Sequence, residues 1–477
     1  MLSNLLPFRA SALAFLLLTG VNASGAQPAK LWLATEHGAL GDSQTVNTRA
    51  LQAAIDLCAA DGGGVIVIPK GTFLSGALYF KQGVNLYIEK EGVLKSTIAM
   101  EDFPPIYTRW EGIERYWTSA FLNFVGMKNV EVAGVGTIDG SGDAFAGFGQ
   151  RTRPPGGAPR GPRPASDATN AAPPPPPSVT EVYGASPPST ATVSLAPDPK
   201  KLPPINAAGF QLPRAGNLSP PRTIMFQECS DVHVSGLTVK NQARWGYVFI
   251  YCENVIAEKL TTRAEHYIPS SDSMDVDSCR HVLITGCDFD CNDDCLSIKS
   301  GKDEDGRRVG RPTEDLIVEK TRFAYGHGGA AMGSETSGGI RNVEVRDCVA
   351  EAGNWAPIRF KTQPSRGGVV ENITYRNIEL RDVKQAFEFD LEWNMRINVA
   401  GDTRVPPTVR NVKIINVHGT AGSVGKIHGL KDSFIDGVVF EQCEVAAQHG
   451  LVIDNARNVD LGGLTLHVAE GEAIVRK

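Results

Sequence analysis

Asp293 and Asp294 stand side by side in the stretch "CNDDCLSIKSG", residues 291–301. Each raises the cost of ionising the other, so such a pair can keep one proton near neutral pH. A third acid, Asp272, lies 21 and 22 residues upstream, in "SSDSMDVDSC". Downstream, "AYGHGG" sets His327 between two glycines, and "APIRFKTQPSRGG" sets Arg359 and Lys361 two apart. Two apart on a strand means one face. Singly, such pieces are common in solvated turns and on exposed strand faces. Together they suit glycoside hydrolysis by inversion. One carboxylic acid protonates the leaving oxygen while other carboxylates deprotonate a water, across an expected separation of roughly 6.5–9.5 Å. Arg359 and Lys361 then suit an anionic sugar, because the Arg fork matches a carboxylate.

That chemistry needs elements that gather distant residues into one patch. The segments "CSDVHVSGLTV", "CENVIAEKLTT" and "CRHVLITGCDF" begin at Cys229, Cys252 and Cys279. Each has a Cys, a polar pair, alternating apolar residues and a break, and weaker copies follow down to "FIDGVVFEQCE". The copies recur roughly every 22 to 39 residues, in the range of solenoids and arrays. Their period of two predicts strands with one buried face, here Val232, Val255, Val282 and Val343. Asn, Gly and Asp at the breaks suit tight turns. Propeller blades need four strands per repeat, and these repeats are too short. A parallel β-helix with about one coil per repeat fits best, and a sandwich less well. Stacked coils would place Asp272 one strand spacing from Asp293 and Asp294. They would also stack the cysteines in an internal column as small apolar residues. One tension follows. If Leu296 and Ile298 face inward, strict alternation turns Asp294 inward too, so non-strand backbone is expected there.

The flanks read differently. The run "ALAFLLLTGV", followed by Ser24 and Ala26 at signal-peptidase spacing, predicts a signal peptide over residues 1–26 and a secreted or periplasmic protein. The mature chain is then residues 27–477. A helical phase at Leu51, Ile55 and Leu57–Cys58 predicts a capping helix over the open N-terminal end. Residues 149–221 hold "RTRPPGGAPRGPRP" and "AAPPPPPSV", a composition that cannot pack a core, and they are expected to be a disordered insertion. A semi-rigid polyproline arm beside the cleft is the alternative. The net charge of −6 argues against a nucleic-acid partner. No segment after residue 26 has the apolar length to span a bilayer. Nine cysteines leave at least one unpaired within a single chain, and none pairs with His at zinc-finger spacing.

With these residues in order, the sequence resembles glycoside hydrolase family 28, the polygalacturonases and their relatives, bacterial type. The family's Asn-Thr-Asp, Asp-Asp, Gly-His-Gly and Arg-x-Lys segments correspond to Ser270-Ser271-Asp272, Asp293-Asp294, Gly326-His327-Gly328 and Arg359-Phe360-Lys361. The opening "AIDLCAADGGGVIVIPKGTFLSG" and the stretch "GTIDGSG" are also similar. The resemblance implies an all-β, right-handed parallel β-helix and inverting hydrolysis of α-1,4-galacturonosyl linkages in pectin. It implies Asp293 as general acid, Asp272 and Asp294 as activators of water, and His327 as the residue that tunes the acid or orders the site. It implies Arg359 and Lys361 as holders of a galacturonate carboxylate, and no metal or other cofactor. The expected partner is a pectin fragment, with no nucleic acid and no membrane, and the chain is expected to be a monomer.

The sequence departs from the family where Ser-Ser replaces Asn-Thr and Ser273 replaces Gly. Phe323 stands where fungal relatives carry a Cys, so Cys295 lacks the partner found there. The segments "GKDEDGRRVGRPTE" and "MGSETSGG" resemble bacterial members, some of which act on chain ends or on rhamnogalacturonan. Rhamnogalacturonan-directed action and an inactive pectin-binding solenoid are the alternatives within this reading. A lyase on the same fold would want calcium-binding acids and a basic proton abstractor.

Overall fold

A computed structural model describes residues 29–145, 219–393 and 404–477. The expected signal peptide lies outside the described residues. So does the Pro-rich insertion, apart from residues 219–221.

The described strands form one parallel sheet wound into a β-helix, plus one antiparallel hairpin, Pro105–Trp110 with Ile113–Thr118. One stack runs through Lys128–Gly134, Ser230–Ser235, Glu253–Glu258, Arg280–Thr285 and Thr313–Glu319. Its register pairs Val130 with Val232, Val255, Val282, Leu316, Val343, Ile373, Val412 and Val438 in turn. All of these are buried, so the period-two reading placed the core face correctly. Phe80, Phe124, Phe226 and Phe249 stack with centroids 4.2, 4.9 and 5.0 Å apart, close to the strand spacing. Cys229, Cys252 and Cys279 occupy equivalent buried positions, with the Cys252 N–H donating to Cys279 Sγ at 3.2 Å. All nine cysteines are free thiols, Cys295 included.

The repeat's polar pair has a conformational cause. Asp231, Asn254, Asp315, Asn342, Asn372 and Asn411 all have φ between 54° and 56°, in the left-handed region. Asn and Asp tolerate that region better than other side chains. Their amides then stack between coils, Asn254 on Asp231 at 3.0 Å and Asn342 on Asp315 at 3.0 Å.

The helix Thr48–Ala60 buries Leu51, Ala54, Ile55 and Cys58 against the first coils, continuous with the main core. It is the expected cap, with one correction: Leu57 is exposed and Ala54 takes its place. A second correction concerns residues 219–221. The expected insertion includes them, yet they pack in the body. Ser219 accepts hydrogen bonds from Trp117 Nε1 at 3.3 Å and, at its carbonyl, from Thr118 Oγ1 at 2.8 Å.

Candidate active site

The site lies on the outward face of the coils Met274–Asp277, Asp294–Lys299, Arg322–Gly333 and Ile340–Lys361. Register sets Asp275, Ser297, Ala331, Arg359 and Glu388 in one outward row. Asp277, Lys299, Gly333, Lys361 and Asp390 form the next. Between them, Val276, Ile298, Met332 and Phe360 point into the core.

Asp272, Asp293 and Asp294 come together, with one carboxylate oxygen of each within 4.8 Å of the others. This is closer than the separation expected of an inverting acid and base. Backbone contacts fix the cluster. Ser273 N–H donates to the Asp294 carbonyl at 3.0 Å, and His327 N–H to that of Asp293 at 2.8 Å. Ser271, the departure from the family's Thr, braces both acid segments. It donates to the Ile268 carbonyl at 2.9 Å and accepts from the Asn292 N–H at 3.1 Å.

Asp294 contradicts the backbone expectation. It begins the strand Asp294–Lys299, and the non-strand bends fall at Asn292 and Asp293. Its carboxylate nevertheless leaves the core, because Cys295 and Leu296 are both buried inside. Alternation breaks at this corner without loss of ladder pairing, so Asp294 is free to meet Lys361. The Lys361 ammonium donates to Asp294 Oδ2, Ser297 Oγ donates to the same oxygen at 2.7 Å, and Arg359 Nη1 reaches Oδ1 at 3.4 Å. Both cations therefore cross a coil. Small residues make room for them: a Cβ at Gly328 would sit 2.7 Å from Asp294 Oδ1 and 3.3 Å from Arg359 Cδ.

The electrostatics separate the three acids. Burial alone would raise Asp294, but Lys361 and Arg359 outweigh it and hold the carboxyl below the ordinary carboxylate range. Burial, then Asp275, Asp293 and Asp294, push Asp272 well above it. Burial also works to raise Asp293, yet the His327 hydrogen bond leaves it lowered, with Nδ1 3.3 Å from Asp293 Oδ1. The same hydrogen bond raises His327. The expected proton on Asp293 is thus displaced in the free protein. It is held more readily by Asp272, and the Asp293 hydrogen bond favours the protonated form of His327.

Arg359 and Lys361 are less available to a ligand than two cations on an open strand face. Both are mostly buried, and Arg359 Nε also pairs with Glu388 at 2.6 Å. Sequence reasoning missed Ser297, Lys299, Asp275 and Glu388. The alternation in "DCLSIK" carried a signal for the first two, since Ser297 and Lys299 flank inward Ile298. Glu388 is placed only by a neighbouring coil.

The hairpin lies on this row at its N-terminal side. Arg109 Nη1 donates to Asp277 Oδ1 and to Ser278 Oγ, both at 2.7 Å. Trp110 stacks on Trp245 at 5.0 Å, and the Gly112 carbonyl accepts from the Lys302 N–H at 2.9 Å.

The profile of the glycosyl hydrolases family 28 matches residues 213–460, more than half of the chain and every acid and cation of the cluster. The chain belongs to that family. A probable polygalacturonase of Vitis vinifera is 24% identical over 79% of this chain and 66% of its own length. An exo-poly-alpha-D-galacturonosidase of Dickeya chrysanthemi is 24% identical over 84% of this chain and 64% of its own. The chain thus spans slightly less than two thirds of the length of either relative. The structure of a hyperthermoactive exopolygalacturonase from Thermotoga maritima superposes with a TM-score of 0.70 at 26% identity, covering 94% of this chain and 92% of that one. No helix among the described residues is long and apolar enough to cross a membrane.

Proposed function

We propose that this family 28 glycoside hydrolase removes galacturonate units from the ends of pectin chains by inverting hydrolysis of α-1,4-galacturonosyl linkages. The observation that carries the reading is the three-acid cluster flanked by Arg359 and Lys361 on adjoining coils. Asp293, sharing a proton with His327, protonates the departing glycosidic oxygen as the bond to the anomeric carbon breaks. Asp294, with Asp272 beside it in its ionised form, takes a proton from the water whose oxygen bonds that carbon. Asp294 is a poor nucleophile because Lys361, Ser297 and Arg359 engage both its oxygens. This favours inversion even though the carboxylates lie close together. Lys361 and Arg359 face the sugar carboxylate as it enters. No cofactor has a role in this scheme.

The end-directed action is supported by the hairpin Pro105–Thr118. It packs over the outward row beside Lys299, through Arg109 on Asp277 and Trp110 on Trp245, and so covers the face on that side of the acids. The names of the Dickeya and Thermotoga relatives agree. The acids, the cations and the hairpin all come from one chain, which supports a working monomer. The apolar run before Ser24 supports secretion or a periplasmic site.

The test is product analysis on polygalacturonate and on rhamnogalacturonan oligomers, with nuclear magnetic resonance of the first-formed anomer. Small galacturonates released with little loss of viscosity and inverted configuration are expected. Retained configuration sinks the mechanism, rapid loss of viscosity sinks end-directed action, and cleavage of rhamnogalacturonan alone moves the substrate. Asp293→Asn should lower turnover by about 10²–10⁴-fold with oligomer binding intact.

A further inference from the structure

Lys299 lies one coil before Gly333 and two before Lys361, in the same outward row. Its side chain is 6% exposed. Its ammonium lies 2.6 Å from Asp275, 3.9 Å from Glu335 and 4.0 Å from Asp272. It also sits 3.8 Å from the centroid of Trp245, whose other neighbour is hairpin Trp110. A buried ammonium with three carboxylates is a costly arrangement, and an ordinary solenoid face does not require it.

The geometry points to Lys299 as a positioning residue for the reaction: held by Asp275, Glu335 and Trp245, its ammonium stands 4.0 Å from Asp272 Oδ2, which Ser297 Oγ reaches at 3.4 Å, and its charge favours the ionised form of that carboxyl. This rests on the proposed hydrolytic role of Asp272. The groups facing Asp272 are Asp275 on its own segment, Asp293 and Asp294 on the next coil, Lys299 and Arg244. Cys291 also faces it. Every acid among them disfavours the carboxylate, so Lys299 is the nearby cation opposing them, with Arg244 beyond. Lys299 is in turn shared with Asp275, Glu335 and hairpin Glu111. Glu335 is held ionised: burial would raise it, but Lys299, Arg366 and Lys302 outweigh that. Glu335 therefore competes with Asp272 for the same ammonium. Base catalysis needs the ionised carboxylate, so the acidic limb of kcat/KM follows this competition.

Two substitutions should act with opposite signs. Lys299→Met removes the cation and moves the acidic limb of kcat/KM up by about one pH unit. Glu335→Gln frees the cation for Asp272 and moves the limb down. Carbon-13 resonance of aspartate-labelled protein follows the cluster carboxyls directly, and their titration should move in the same two directions. Displacements of one sign, or none, overturn the proposal even if turnover falls, because a purely structural lysine would change stability alone. If Lys299→Met does not fold, the sign seen with Glu335→Gln decides. If the wild-type protein releases no galacturonate, the hydrolytic reading fails, while the carboxyl titration still tests Lys299.

Discussion

Lys361 reaches back across one coil to the carboxylate of Asp294, an acid fixed 67 residues earlier in the chain. The pair joins the two segments that the sequence offers separately as acid and as sugar clamp. Lys361 is therefore part of what keeps a buried carboxylate ionised, and the same holds for Arg359. Roles that look separable along the sequence are coupled in space.

Arg359→Ala should thus do more than weaken substrate binding. It leaves Glu388 and Asp294 with fewer buried partners, and breaking a buried pair costs about 3 kcal/mol or more. We expect a lower midpoint in urea unfolding together with a fall in kcat and a rise in KM. A variant with raised KM alone and unchanged stability would return Arg359 to the simple clamp role.

Gly328→Ala tests the crossing of the cations. Gly328 does not have a positive φ, so the backbone accepts alanine, but its Cβ would press on Asp294 Oδ1. A displaced catalytic group of this kind costs about 10²-fold in rate. Steady-state kinetics should show that loss while circular dichroism shows a retained β fold.

The hairpin hangs on Arg109. Arg109→Met leaves Asp277, 7% exposed, without its ion pair. The cost is about 3–5 kcal/mol, by the rule for broken buried pairs. Loosening the hairpin should also admit longer chains, so viscosity should fall further per bond cleaved than in the parent. Unchanged viscosity behaviour with a lowered melting point would mean that the hairpin only stabilises.

Under the proposed roles, His327 should set the basic side of the pH profile. Its pKa lies above the ordinary value of 6.5 through its hydrogen bond to Asp293, so the shared proton is held to higher pH than on a free imidazole. In His327→Gln the proton depends on Asp293 alone, and the basic limb of kcat/KM should move to lower pH. The stability sign follows from the same shift. A raised folded pKa gives stability that is fully present below about 6.5, the unfolded value, and is lost as pH rises through the folded pKa. The stability gap between parent and variant should therefore narrow across that window in pH-dependent unfolding.

Much of this protein was legible before its fold. Alternating apolar residues identified the inward row of Val232, Val255, Val282 and Val343, because period two is a local property of the strand. The Asn and Asp at the breaks forecast turns, because their tolerance of left-handed backbone is intrinsic to the side chain. The interval from Asp272 to Asp293 and Asp294, one coil long, already implied a cluster. The tertiary structure alone decided the rest. Asp294 turns outward because Cys295 and Leu296 both enter the core at a corner, which a strict two-residue period cannot express. Asp272 and Asp294 differ in proton affinity because cations from a later coil reach only one of them. A hairpin is held on the site's outward row by Arg109 on Asp277, 168 residues away. Contacts of that range depend on how coils stack, and no local pattern of residues encodes them.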